Sequence, residues 1–249
     1  MLEVILLIVA GGAAGVLNAV AGGGTFLTLP ALVFIGLPPV SANATTTLTA
    51  LPGYAASAWA FRADIRSEGA LGLAAMSAIA ALGSGAGAFL LIVTPEDTFR
   101  GVVPWLLLAA TLLFAAGPSL VAALRRRGHA APGRALSTGI LFAVAVYGGY
   151  FNGGLGIMLL AAFGLLGYDD LHGMNGLKNA LAVLLSLIAV ATFVMAGLIA
   201  WTPAVAMAGA ATLGGYLGGR FSRRIRDVRL LRGFITLVGL AMSAAFFLS

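Results

Sequence analysis

Short hydrophilic breaks divide the chain into ten apolar segments, at about 2–21, 25–37, 42–61, 69–93, 100–123, 135–151, 155–167, 171–196, 202–219 and 230–248. Most approach or exceed the roughly 20 residues a helix needs to cross a hydrocarbon core. Composition closes off the soluble alternative. Of 249 residues 61% are hydrophobic and 9% charged, with a mean hydropathy of +1.06, against roughly 25% charge in a soluble domain. Water cannot solvate that much apolar surface, so lipid is the expected solvent and the fold class an all-α polytopic membrane protein. The 35 glycines fit the same class, where helices pack backbone against backbone.

The same inventory excludes most other chemistry. There is no cysteine, hence no disulfide framework and no thiolate site. His129 and His172 are too few for a histidine metal cluster, and no cofactor is called for. The net charge of +6 sits in the breaks between apolar runs, where it reads as a topology signal and not as a nucleic-acid surface. No cleavable leader is expected, since the N-terminus lacks a basic region and a small-residue cleavage signal. Tyr168-Asp169-Asp170 faintly resembles an intramembrane aspartyl protease motif, but it lies in a break and no second intramembrane acid completes a dyad. Neither a rhomboid Gly-x-Ser-Gly with a membrane histidine nor a Walker A sequence occurs.

Two segments, 25–37 and 155–167, are only about 13 residues long, and each follows a glycine cluster as the second in a run of five. Shifting the sequence by 131 places Gly22, Gly23, Leu29, Ala31 and Gly36 on Gly153, Gly154, Leu160, Ala162 and Gly167. The same shift places Ala80, Leu82, Gly83 and Gly87 on Ala211, Leu213, Gly214 and Gly218, and one inserted residue aligns Asn43 with Asn175. The expected organisation is an N-terminal transmembrane repeat at 1–125, a basic cytoplasmic linker at 126–134 and a C-terminal repeat at 135–249.

Arginine placement sets the orientation. With the Arg125-Arg126-Arg127…Arg134 linker in the cytoplasm, alternation puts 12 arginines inside and only Arg100 outside. Both termini then face outward, and repeats with an odd number of segments must have inverted topology. Whether the two short segments span or dip in and return stays open. Trp59, Trp105 and Trp201 fall near the interfaces as anchors, and Gly83-xxx-Gly87 and Gly214-xxx-Gly218 read as helix-packing notches.

Candidate binding residues cluster at and after the glycine breaks. An interrupted helix bares backbone polar groups, tolerable at membrane depth only against protein or a wet cavity. The N-terminus of the half-helix that follows favours an anion. The first break offers Gly22, Gly23, Gly24 and Thr25, followed by Asn43, Thr46 and Thr47 in the next segment. The second offers Asn152, Gly153 and Gly154, followed by Asn175, Lys178 and Asn179. A plain turn is the bland reading of each break, and interhelical glue that of the threonines.

Lys178 is the only lysine among 14 basic residues. It lies about eight residues beyond Asp170, roughly 12 Å along a helix. A cation at that depth faces a cavity or a partner. The competing readings are snorkelling to the interface and pairing with Asp169 or Asp170.

Several of these stretches resemble the sulfite exporter TauE/SafE family of membrane transporters. They are Ala21-Gly-Gly-Gly-Thr-Phe-Leu-Thr-Leu-Pro30, Gly36-Leu-Pro-Pro-Val-Ser-Ala42-Asn43, Gly148-Gly-Tyr-Phe-Asn-Gly-Gly-Leu-Gly-Ile157 and Met174-Asn-Gly-Leu-Lys178-Asn179. The likeness covers both halves. It implies a plasma-membrane carrier for small sulfur-containing anions (sulfite, sulfoacetate or other organosulfonates) or carboxylates. Members usually carry a fuller Gly-x-Gly-Gly-Gly run in the second half, where this chain reads Asn152-Gly-Gly-Leu-Gly156. The expected partners are the anion and membrane lipids, with a homodimer and a coupling proton or sodium ion left open. A passive anion channel is the alternative, since the same polar breaks could line a pore.

Overall fold

The computed structural model describes residues 2–20, 23–67, 69–126, 132–221 and 229–248. The described residues form ten α-helices: α1 Leu2–Val20, α2 Thr25–Phe34, α3 Pro39–Ala60, α4 Leu73–Val93, α5 Glu96–Arg126, α6 Arg134–Tyr150, α7 Leu155–Leu165, α8 Leu171–Met195, α9 Trp201–Phe221 and α10 Arg229–Leu248. A single 3-10 turn, Arg62–Asp64, follows α3. Each expected apolar segment corresponds to one helix. The boundaries moved where capping chemistry outweighs hydropathy. α3 starts three residues early because Pro39 suits the first helical turn, and α5 starts at Glu96, whose carboxylate and that of Asp97 favour a helix N-terminus.

Most helix contacts, though not those of α3 with α5 or α1 with α8, recur when the first five helices are exchanged for the last five. α1 lies along α9 as α6 lies along α4; α3 meets α9 as α8 meets α4; α5 touches α7 as α10 touches α2. The contacts α3 with α8 and α5 with α10 map onto themselves. The notch glycines make the long contacts possible. A Cβ on Gly214 would sit 2.1 Å from the Gly12 carbonyl oxygen, and one on Gly87 would sit 2.0 Å from that of Val146. No side chain fits at either place.

These contacts also give directions. Gly11 meets Met207 and Gly15 meets Ala211, so α1 and α9 run the same way. Gly53 meets Ala211 and Gly219 meets Ala60, so α3 runs with them. Gly83 meets Phe142 and Gly87 meets Val146, which makes α4 and α6 parallel. α3 ends, and α4 and α8 begin, at one common end of the molecule. There Arg66 pairs with Asp170 at 2.8 Å and the Tyr168 hydroxyl reaches Met76.

The short helices are wrapped by protein. Phe26, Leu29 and Leu32 of α2 and Leu155, Leu159 and Phe163 of α7 are essentially inaccessible. At 1.5 Å per residue each is roughly 15 Å long, half of a hydrocarbon core, and its N-terminal end is buried in protein while its C-terminal end reaches the surface. Both end in the same turn. Gly36 and Gly167 take φ of +91° and +86°, open to glycine at no cost, and their N–H groups return to the Val33 and Gly164 carbonyls.

The longer helices instead turn large apolar side chains outward: Leu82, Phe89, Val205 and Leu213 are all more than 60% exposed. Water would penalise that surface and lipid does not. By length and composition Leu2–Ala19, Leu73–Val93 and His172–Met195 can cross a membrane. Trp59, Trp105 and Trp201 are all exposed, as interfacial anchors should be, and the Arg62 guanidinium lies 4.8 Å from the Trp59 ring.

Candidate anion site at the paired helix breaks

α1 ends one turn before the first break, and Asn18 in that last turn folds back over it. Its Oδ1 accepts the Gly24 N–H at 2.8 Å. A Cβ on Gly24 would lie 2.5 Å from the Ala14 carbonyl oxygen, so the chain can pass this close only as glycine. Gly22 lies outside the described residues.

Lys178 closes the same break from α8. Its side chain is fully buried, and Nζ donates to Asn18 O at 3.1 Å, Ala19 O at 3.3 Å and Asn175 Oδ1 at 3.1 Å. Two sequence readings are thereby corrected. Lys178 does not snorkel, because the apolar packing of α8 around it leaves no route to the surface. It does not pair with Asp170 either. That carboxylate caps α8 through the His172 and Gly173 N–H groups and binds Arg66. These bonds, His172's first, hold the Asp170 carboxyl below the usual carboxylate range.

The second break is closed from α3 in the corresponding way. Asn43 Nδ2 donates to the Tyr150 carbonyl at the end of α6, at 2.9 Å. Gly154, the residue before α7, has φ of +71°, which an L side chain resists. The Tyr147 hydroxyl donates to the Gly153 carbonyl. The structural register at the breaks is Gly24 with Gly154, the two residues that precede α2 and α7. That is one residue off the alignment of Gly22 and Gly23 with Gly153 and Gly154. The sequence register was set by glycine identity, whereas the helix starts follow from where each half-helix can be capped.

The two breaks touch. Thr25 Oγ1, in the first turn of α2, donates to the Asn152 carbonyl at 3.3 Å, and Tyr54 on α3 reaches Asn152 Oδ1 at 3.5 Å. Thr25, Asn43, Asn152, Gly153, Asn175 and Lys178 thus belong to one connected region.

Several buried polar atoms of the residues expected at the site have no partner: Asn43 Oδ1, Thr46 Oγ1, Asn152 Nδ2 and both amide atoms of Asn179. Buried polar groups are almost always bonded, so such a group points to a ligand or ordered water. Thr47 is different. Its hydroxyl is spent on the Asn43 carbonyl in its own helix at 3.0 Å, as the glue reading expects.

Asn18, Tyr54 and Tyr147 belong to this region and were not singled out from sequence. Asn18 carried a usable signal, being a lone amide in an otherwise apolar helix. The tyrosines carried none, since a Tyr in a membrane helix more often marks an interface. Among the described residues no three His, Asp or Glu side chains gather as a metal site would require.

Comparison with known proteins gives the family. The family described as "Sulfite exporter TauE/SafE" matches residues 7–246. A "Probable membrane transporter protein ORF9" of a Sinorhizobium species is 26% identical over 244 residues, covering 95% of this chain and 89% of that protein. "Probable membrane transporter protein YfcA" of Escherichia coli K12 is 29% identical over 238 residues, covering 93% and 84%. A "Probable membrane transporter protein" of Haemophilus influenzae is 29% identical over 242 residues, covering 96% and 92%. With nearly its whole length matched, the chain belongs to the sulfite exporter TauE/SafE family of membrane transporters.

Proposed function

We propose that the chain is a secondary carrier for a small anion, sulfur-containing (sulfite or an organosulfonate) or carboxylate, working by alternating access in the plasma membrane. The observation that carries this reading is the contact of the two breaks through Thr25 and Asn152, taken with the buried, unpartnered donors Asn152 Nδ2 and, on α8, Asn179 Nδ2. These donors, the Thr46 hydroxyl and the Lys178 ammonium are what an oxyanion needs for neutralisation without full hydration. The α2 N-terminus, starting at Thr25, adds its dipole. Asn43, Asn175 and the glycines of both breaks hold these groups in place.

The halves are proposed as inverted repeats with both termini outside. The exchange symmetry of the helix contacts supports this, as does the meeting of the Arg66 and Asp170 segments, which alternation puts on one side. The self-paired α3–α8 contact, between the halves, is where rocking of one against the other would open the site. With the cytosol negative, exit of an anion is favoured by about 2.3 kcal/mol per charge per 100 mV. Uptake would need a coupled cation.

Counterflow in proteoliposomes tests the reading. Labelled sulfite, and in parallel labelled sulfoacetate, should exchange across equal concentrations of unlabelled anion. Flux of the anion without trans-stimulation would replace the carrier by a channel. No flux of any small sulfonate, sulfite or carboxylate would remove the anion assignment.

A further inference from the structure

A bound anion answers the free donors of this site and leaves its free acceptors unanswered, because an anion has no proton to give. Asn43 makes the point most sharply. Its Nδ2 is committed to the Tyr150 carbonyl, which fixes the amide and turns Oδ1 elsewhere, buried and without a donor. Thr46, one turn further along α3 and on the same face, is fully buried with its Oγ1 also unpartnered. On α8, which packs against α3, Asn179 presents a third buried, unpartnered oxygen, Oδ1. Leaving such an acceptor dry carries a desolvation penalty that no bond offsets. Filling the site with an anion alone would therefore leave a standing penalty beside the ligand.

The oxygens share a chemistry. All are neutral, hard donors on helices that flank the breaks, the kind of set that holds an alkali cation where helices are interrupted. A proton is the other coupling ion, and it needs a titrating group to ride on. Lys178 is already committed as the ammonium that meets the Asn18 and Ala19 carbonyls and the anion, so a carboxylate would have to serve. Among the described residues no Asp or Glu is buried. The fixed charge already present is the Lys178 ammonium, which weighs against a divalent ion and is offset when the anion binds.

We propose that sodium binds together with the anion, held by Asn43 Oδ1, Thr46 Oγ1 and Asn179 Oδ1, with an oxygen of the anion completing its shell. The proposal rests on the anion reading for its second ligand. Thr46 serves both, its hydrogen turned to the anion and its lone pair to the cation. Each ligand then raises the affinity for the other, and the inward sodium gradient can drive uptake against the membrane potential.

The test is thermal stability of the purified full chain at constant chloride, with sodium replaced by potassium or choline. Sodium should raise the midpoint more than either, and tetramethylammonium sulfite or methanesulfonate should stabilise the protein more in sodium than in choline. Thr46→Val removes an oxygen that bonds to nothing in the fold, so the variant should fold at least as well as wild type. It should also need roughly 10-fold more sodium for half its effect, the loss expected from one ligand worth about 1.4 kcal/mol. Equal midpoints in sodium, potassium and choline overturn the proposal, as does a sodium response that Thr46→Val leaves unchanged. Anion stabilisation as large in choline as in sodium also overturns it, since the anion would then bind without the cation. A sodium response with no response to any anion keeps the cation site and discards the anion reading, while the reverse pattern does the opposite.

Discussion

At the first break the carbonyls that end α1 receive an ammonium, Lys178 Nζ, from α8; at the second, the carbonyl that ends α6 receives a neutral amide, Asn43 Nδ2, from α3. Both side chains arrive from the third helix of the opposite half. Asn43 corresponds in sequence to Asn175, and the position corresponding to Lys178 is Thr46. One half has kept a charge where the other has an unpartnered hydroxyl. The scaffold is therefore symmetric and the site is not. On the proposed carrier function, a symmetric frame would suit two mirror-related conformations, and an asymmetric charge would let one anion be bound once, between them.

The sharpest way to break this comparison is Lys178→Met, which fills similar space without the charge. The three ammonium N–H groups already serve Asn18, Ala19 and Asn175, so the anion loses charge attraction: its binding should weaken by roughly 10- to 100-fold and transport fall to background. Lys178→Arg keeps the charge with a planar, bulkier head and should be partly active. Near wild-type anion flux in Lys178→Met would mean that the lysine only caps α1. Asn43→Leu is the matching change at the second break. It strands the Tyr150 carbonyl, costing about 1–3 kcal/mol of stability, which a melting curve in lipid nanodiscs reads directly. A transport loss as deep as that of Lys178→Met at unchanged stability would trace the effect to the sodium proposed at Asn43 Oδ1 and not to the Tyr150 cap.

A smaller effect separates the breaks themselves. Alanine at Gly24 drives its Cβ into the Ala14 backbone oxygen at 2.5 Å, whereas at Gly153 the obstacle is the Phe151 ring. Backbone cannot step aside and a ring can shift, so Gly24→Ala should be the more destabilising by about 1 kcal/mol, within the usual range for overpacking. Equal melting shifts would mean that the first break is looser than its contacts indicate.

What the sequence disclosed and what it withheld divides along the same line. Hydropathy and glycine clusters are local, and they disclosed ten helices, two of them short, and the polar residues beyond each break. Which carbonyls those residues bind is not local. Lys178 meets Asn18 and Ala19 some 160 positions away, and no spacing rule links α8 to the end of α1. The proposed alternatives for Lys178 were both drawn from its own neighbourhood, and both failed for that reason. The one-residue slip in the break alignment has a related cause, since glycine runs match equally well in adjacent registers. Thr47 shows the limit from the other side. It stands next to Thr46 in an identical local pattern, yet its hydroxyl bonds its own helix while that of Thr46 bonds nothing.

The smallest expected effect lies farthest from the breaks, where Asp170 caps α8 and pairs with Arg66. This contact sets the start of the helix that carries Lys178, so it tests whether positioning of the charge begins at the surface. Asp170→Ala removes the acceptor of the His172 and Gly173 N–H groups and the partner of Arg66. Arg66 is 61% exposed, so the ionic part is screened by salt and contributes little. The cap matters more. Because the folded carboxyl titrates below its ordinary value of 3.8, its stabilisation is present above that value. It fades only as pH falls through the lower folded pKa. Between pH 5 and 8 the melting difference between Asp170→Ala and wild type should therefore be small and flat, shrinking only in stronger acid. Raising the salt should trim it slightly, and Asp170→Asn, which keeps an acceptor for the N–H groups, should recover part of it. A difference that varied steeply between pH 5 and 8 would instead assign the effect to a group other than the Asp170 carboxylate.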